Sequence, residues 1–194
     1  MNNKLCSLIY GLIEKIPNLN KTEIVKLCYL ADYNYYKYFG KKISEIIYIY
    51  YNHGPFSKSI HECIDGLERE NILKQEKKIS LNLKRKYFSF LITNKYNANK
   101  YLNREELDIL DYVIREYGNL GYEKLTEISY ETEPMRNVKK NDILDFNLIN
   151  KAIEDRIEKV RREKGTLRNY KGKPPIFDNN DDFMRYQYKM ISDK

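Results

Sequence analysis

The 194-residue sequence predicts a mainly helical α+β fold: a compact helical domain carrying a small antiparallel sheet or hairpin of two or three strands. Three observations lead there. Apolar residues recur at spacings of three and four over most of the chain, the mark of helices with one buried face. In two places, around Ile43 to Tyr51 and around Ile79 to Ile92, that period gives way to runs rich in isoleucine, tyrosine and phenylalanine, which favour extended backbone. No Gly/Pro-rich linker interrupts the chain before residue 163, so residues 1–162 read as one domain and 163–194 as a C-terminal tail.

The elements follow in order. Leu5, Leu8, Ile9, Leu12, Ile13 and Ile16 form the stripe of a first helix, from about Asn3 to Ile16, closed by Pro17 and Asn18. Asn20 opens a second helix with Glu23 three residues on, the spacing of a reciprocal cap, and Gly40 supplies the left-handed stop. Ile43 to Tyr51 reads as a strand, and Asn52, His53, Gly54 and Pro55 as the break after it. Ile60, Cys63, Ile64 and Leu67 mark a third helix over 57–70. Ile79, Leu81 and Leu83 alternate with polar residues ahead of the run Tyr87 to Ile92, giving a hairpin that turns around Lys84 to Lys86. Asn103 with Glu106 repeats the cap spacing before a helix ending at Gly118; a shorter helix covers 122–129, and a long one covers 142–162 with Leu144, Leu148, Ile149, Ala152, Ile153, Ile157 and Val160 facing inward.

Composition narrows the function. Charged residues make up 32% and hydrophobic ones 42%, the balance of a globular protein. No run approaches the ~20 apolar residues that cross a bilayer, and Glu14 and Lys15 interrupt the first residues before a signal peptide can develop, so no membrane association is expected. Cys6, Cys28 and Cys63 lie in apolar helical patterns and read as buried thiols, which fits a reducing cytoplasm. Charge is unevenly distributed: residues 74–104 hold nine Lys and Arg against one acid, and residues 105–150 hold five against eleven. Such asymmetry bears on the choice of partner.

No catalytic or cofactor constellation is predicted. His61 and Cys63, two apart on a helix, point to different sides, and with His53 they fall short of the three or four converging ligands a metal requires. The carboxylates Glu105, Glu106, Asp108 and Asp111 sit near a helix start, where exposed amides favour negative charge. Neither the Gly-Pro nor the Lys-Gly-Lys element has the spaced glycines of a phosphate loop.

The features left over point to binding. Among the 19 tyrosines, Tyr33, Tyr35, Tyr36 and Tyr38 wrap around one helix, and Tyr48, Tyr50 and Tyr51 follow it. Two readings stand: rings such as Tyr36 at a protein interface, or an aromatic core with wet hydroxyl tips. Lys84, Arg85 and Lys86 at the hairpin tip are candidate contacts, either for a protein or, with 57–70 as a recognition helix, for DNA phosphates. Against DNA, that helix carries Glu62, Asp65, Glu68 and Glu70. In the tail, Ile176 and Phe177 are apolar anchors in a polar stretch, which suits a peptide that orders on a partner and equally suits a frayed end.

The segment Lys26-Leu-Cys-Tyr-Leu-Ala-Asp32, then Tyr38-Phe-Gly40, then Ile43 through Tyr51-Asn-His-Gly-Pro55 and Leu67 to Leu73, resembles the Panacea domain, also known as SocA-like or phage-associated GepA-like. Leu107 to Leu120, Leu125 to Ser129 and Glu133-Pro134 are similar to its later stretch, so the resemblance spans roughly residues 5–150. It implies a mainly helical domain with a small antiparallel sheet, acting in bacterial and prophage operons as the antitoxin that binds and neutralises a cognate toxin encoded next door. One branch of that family instead delivers the toxin to a cytoplasmic protease. The resemblance implies no catalytic residues. Tyr29, Leu30, Ala31, Asp32, Gly54 and Pro55 carry its recurrent motifs and are expected to be architectural. Where its pattern has a histidine followed after a few residues by a proline and tryptophan, this chain has Tyr130, Pro134 and Met135, so the histidine and the tryptophan are replaced.

Overall fold

Helix α1 (Asn3–Lys15) runs through the core: every residue from Leu5 to Ile13 is buried. The computed structural model describes residues 2–79, 86–136 and 138–164, and among these are seven α-helices and four short strands. The chain divides into two units, Met1–Ile153 and Glu154–Lys194. The first holds the core described below, and α7 (Asn147–Lys164) begins in it and continues into the second.

Local signals in the sequence set the helix ends. Asn2 Oδ1 accepts from the Leu5 amide at the head of α1. At the head of α2 (Lys21–Phe39), Asn20 accepts from the amides of Thr22 and Glu23 while Glu23 accepts from the Asn20 amide, a complete capping box. Gly40 stops α2 with φ +63, where a side chain would be strained. Helix α3 (Lys58–Arg69) turns Ile60, Cys63, Ile64 and Leu67 inward, as their spacing predicts. Helix α4 (Arg104–Tyr117) opens with the second capping box, from Asn103 and Glu106. Glu106, buried, also accepts from Lys4 at 2.5 Å, which ties the start of α1 to the start of α4. The two helices approach closely where Gly11 faces Leu110. Helices α5 (Tyr122–Tyr130) and α6 (Glu133–Arg136) complete the wall beside α2.

Both sheets are two-stranded and antiparallel. Strand β1 (Ile49–Tyr51) pairs with β2 (Gly54–Phe56), Ile49 opposite Phe56. Strand β3 (Leu73–Ile79) pairs with β4 (Lys86–Ile92), from Leu73 opposite Ile92 to Ile79 opposite Lys86. The predicted fold class therefore holds, mainly helical with small antiparallel sheets.

Four expectations need correction. The first strand is Ile49–Tyr51, not Ile43–Tyr51, because two left-handed residues, Gly40 and Glu45, bend the approach. Ser44, moreover, gives its amide to Asp32 rather than to a neighbouring strand. The second hairpin starts earlier than its alternation suggests, at Leu73, and Lys86 lies within β4 rather than in the turn. The last helix begins at Asn147; residues before it instead bridge to β1, with Ile143 opposite Ile49 and the Leu144 amide donating to Tyr48 O. Of that helix's expected inward face, Ile149 is buried, whereas Ile153 and Ile157 are exposed. Finally, Cys6 and Cys63 are joined as a disulfide where α1 packs on α3, with Cα atoms 5.8 Å apart, and Cys28 is the buried free thiol. Fifty-seven residues of separation hide that pairing from the sequence, which reads all three cysteines as separate thiols.

The path of residues 40–48 is held by one carboxylate. Asp32, fully buried on α2, accepts from the Ser44 amide at 2.8 Å, from the Ser44 hydroxyl and from the Tyr48 hydroxyl at 2.8 Å. Burial raises its carboxyl above the ordinary value, and these donors oppose the rise. The folded chain therefore binds this proton more tightly than the unfolded chain does, so the group's contribution to stability declines as pH rises above about 4. Asp32→Asn keeps the shape but sets amide hydrogens against donors. Urea titration of the variant is expected to show a loss of about 1–3 kcal/mol at neutral pH, together with disappearance of that part of the pH dependence.

Candidate functional site

The residues that carry the family resemblance converge along α2, and the structure turns most of their polar ends inward. Lys26, Tyr29 and Tyr33, spaced three and four apart, face β2, α5 and α6. Lys26 is buried and its ammonium donates to two backbone carbonyls, His53 O and, at 3.2 Å, Pro55 O. Tyr29 shares a 2.6 Å hydrogen bond with the Thr132 hydroxyl, and Tyr33 donates to Glu133 at 2.7 Å. Leu30 and Ala31 are core. Together these contacts fasten the β1–β2 turn and the α5–α6 corner to one helix.

Gly54 and Pro55 take their place in this device. Gly54 has φ +99, and a Cβ there would lie 2.9 Å from the Lys26 ammonium and 3.8 Å from the Tyr130 ring. Only glycine both permits that backbone and leaves room for the cation beneath it. Beside it, the Tyr50 and Tyr130 rings meet edge to face at 5.8 Å with their hydroxyls 3.4 Å apart, and burial raises the Tyr130 hydroxyl to about 12.

The candidate partner contacts are scattered. Tyr36 is 9% exposed, its hydroxyl donates to Asn147 at 2.9 Å and its ring meets Phe146 at 5.4 Å; it serves an internal contact, not an open surface. The other tyrosines divide the same way. Tyr29, Tyr35 and Tyr48 are core, Tyr33 and Tyr38 are half-buried, and Tyr51 is exposed. Lys84 and Arg85 lie outside the described residues, as do Ile176 and Phe177, while Lys86 stands at the start of β4. The described part of the hairpin is nonetheless basic, with Lys74 and Lys77 exposed, Lys78 paired with Glu76, and the apolar Phe88 and Leu91 exposed among them.

Among the described residues, no group of three or more His, Cys, Asp and Glu is placed to hold a metal ion. His61 rests edge-on against Phe56 and is held below its ordinary pKa by burial and by Lys21, while its sequence neighbour Cys63 is bonded to Cys6. A cleft of about 540 Å³ beside α3 is lined by Asn2, Ile46, Glu62, Cys63, Arg69 and Glu70 among others. No described helix is long and apolar enough to cross a membrane. Sequence reasoning missed two features. One is the buried Lys26 ammonium, whose position on the apolar side of α2 was the available signal. The other is an exposed apolar sheet face around Ile143, which depends on a chain crossing that no local pattern announces.

The motif residues thus hold a mainly helical scaffold together, and its open faces are charged or apolar. A family model described as antitoxin SocA-like, Panacea domain, matches residues 24–134, more than half of the chain, and the chain belongs to that family. No curated protein and no solved structure matches it. The matched span runs from Ile24, two residues before Lys26, to Pro134 at the α5–α6 corner, so it encloses the whole α2 clasp.

Burial lowers the Lys26 ammonium to about 8. Between that value and about 10.5 the unfolded chain holds more protons than the folded one, so this group makes stability rise with pH across that window and leaves it lower below. In Lys26→Met the rise should vanish. Urea titrations of both proteins at steps from pH 7.5 to 10.5 should differ in slope by up to about 1.4 kcal/mol per pH unit.

Proposed function

We propose that this chain is an antitoxin that neutralises a cognate toxin protein by stoichiometric, non-catalytic binding. The observation that carries the reading is the family match over residues 24–134. The structure is consistent with it in a physical sense: the motif residues are consumed in holding the scaffold, and what remains for a partner is surface. The toxin is the product of the neighbouring gene, and the two meet in the cytoplasm, a compartment in which the Cys6–Cys63 bond is open to reduction. The basic hairpin of β3 and β4, with Lys84, Arg85 and Lys86, and the tail residues Ile176 and Phe177 are proposed contacts. Handing the toxin to a cytoplasmic protease is the variant of this reading in which binding leads to degradation.

Co-expression tests it directly. Growth arrest caused by the neighbouring gene's product is expected to be relieved by this chain, and the two proteins to co-purify at one to one. Arrest that persists with no complex formed would reject the antitoxin reading for that partner. Toxin levels that fall only when both this chain and the protease are present would move the mechanism from occlusion to delivery.

DNA binding is a second reading, favoured by one observation: α3 followed by the β3–β4 hairpin places a helix beside a basic wing. Against it, α3 presents Glu62, paired with Lys58 at 3.0 Å, and Asp65, which meets Lys21 at 3.5 Å, a poor surface for phosphates. On the antitoxin reading the purified chain shows no salt-sensitive retention on duplex DNA. Retention that Lys84→Glu, Arg85→Glu and Lys86→Glu together abolish would establish the other reading.

A further inference from the structure

Ile47 and Ile143 stand out in a protein that otherwise buries its aliphatic side chains well: they are 62% and 64% exposed. Their positions are linked. Strand β1 is paired on one side with β2 and bridged on the other by the segment around Ile143, through hydrogen bonds from the Tyr50 amide to Asp142 O and from the Leu144 amide to Tyr48 O, both 2.9 Å. Ile143 is thus opposite Ile49 in a pair flanked by, and not itself making, those hydrogen bonds, the arrangement that brings side chains closest. Ile49 is in turn opposite Phe56.

Alternation then sorts the side chains into two faces. Ile46 and Tyr48 are buried, and Tyr50 packs on Tyr130 of α5. Ile47, Ile49 and Tyr51 point the other way, on the side shared by Ile143 and Phe56. The Tyr51 and Phe56 rings meet on that side at 5.4 Å. The result is a row across the strands, Ile143–Ile49–Phe56, with Ile47 above it and Tyr51 below, an apolar patch on the outside of the protein. A contiguous exposed patch of this kind marks an interaction site, unlike a lone exposed leucine.

Its ends differ in charge. The same antiparallel register places the exposed Asp145 beside Ile47. At the opposite end, next to Tyr51, the chain enters through Asn141, whose amide donates to Tyr50 O at 2.7 Å, preceded by the exposed Lys139 and Lys140. The face is therefore apolar in the middle, acidic at one end and basic at the other, and such a pattern orients what it binds.

We infer that this outer face of β1, β2 and the Ile143 bridge is the surface that seats the toxin protein. The occupant would be a toxin segment presenting apolar side chains, with a basic group at its Asp145 end and an acidic group at its Lys139–Lys140 end. The inference rests on the antitoxin reading and specifies its interface. A second copy of this chain is the competing occupant. The two-fold symmetry of a homodimer would oppose the unlike ends of the face as well, so charge alone does not separate the two and the experiment must.

The probe is the purified product of the neighbouring gene, with affinity measured by calorimetry and neutralisation by growth rescue. Because both isoleucines are more than 60% exposed, the double variant Ile47→Asp/Ile143→Asp should fold with a melting temperature close to that of the parent protein. It should bind the toxin at least 100-fold more weakly and fail to rescue growth. Asp108→Lys, on the exposed side of α4, should bind and rescue like the parent, whereas Asp145→Asn and Lys140→Glu should each weaken binding about 3- to 30-fold, more so at low salt. Parent and double variant binding alike would overturn the proposed face and leave the antitoxin reading standing. A parent that neither binds nor rescues would overturn that reading, and the face with it. A parent that sediments as a dimer without toxin, and becomes monomeric in the double variant, would assign the face to a second copy and reject the toxin as its occupant.

Discussion

The rest of the structure depends on how α2 disposes of its buried polar ends. A fully buried carboxylate is tolerated only where donors surround it, and Asp32 draws its donors from Ser44 and Tyr48, residues 12 and 16 positions further along the chain. Meeting that demand brings the chain back across α2 after Gly40 and delivers it to β1 in a single register. Nearly two turns earlier, Lys26 makes a parallel demand and satisfies it with the carbonyls of the β1–β2 turn. Two ionisable groups six residues apart thus determine where the small sheet lies. Tyr29 and Tyr33 extend the same logic to the α5–α6 corner through Thr132 and Glu133.

The helices were legible because their information is local. Asn20 with Glu23 and Asn103 with Glu106 announce helix starts by spacing alone, and both capping boxes form. The apolar stripes of α1 and α3 likewise name the residues that become core. What the sequence hid depends on distant partners. Cys6 and Cys63 each look like an ordinary buried residue of their own helix, and only the packing of α1 on α3 brings them together. Residues 142–146 have helical spacing, yet Leu144 and Phe146 are buried by pairing and ring contacts with Tyr48 rather than by a helix of their own. Tyr36 looked equally suited to surface or core, and what decided it was Phe146 and Asn147, over one hundred residues away in the chain.

The same division separates the motif residues from the exposed faces. A recurring motif is easily taken for a contact site, but here Tyr29, Leu30, Ala31 and Asp32 face the interior and Gly54 makes room for a cation. Their chemistry is spent within the fold. The basic stretch between residues 74 and 104 could be seen as soon as charges were counted, whereas the apolar face around Ile143 required the bridge between Ile49 and Ile143, a pairing across more than ninety residues. Interfaces built from strands that meet only in the folded chain leave little trace in any one segment.

Strand β1 is three residues long, and its alternation gives each side a different kind of freedom. Toward the interior, Tyr48 and Tyr50 answer to Asp32 and Tyr130, and a change there disturbs the scaffold. Toward the outside, Ile47 and Tyr51 owe the fold almost nothing. Neighbouring residues of one short peptide are therefore under separate physical constraints, one set holding the architecture and the other open to solvent. Substitutions at the outward positions can remake the exposed face without reopening the question of how the chain folds.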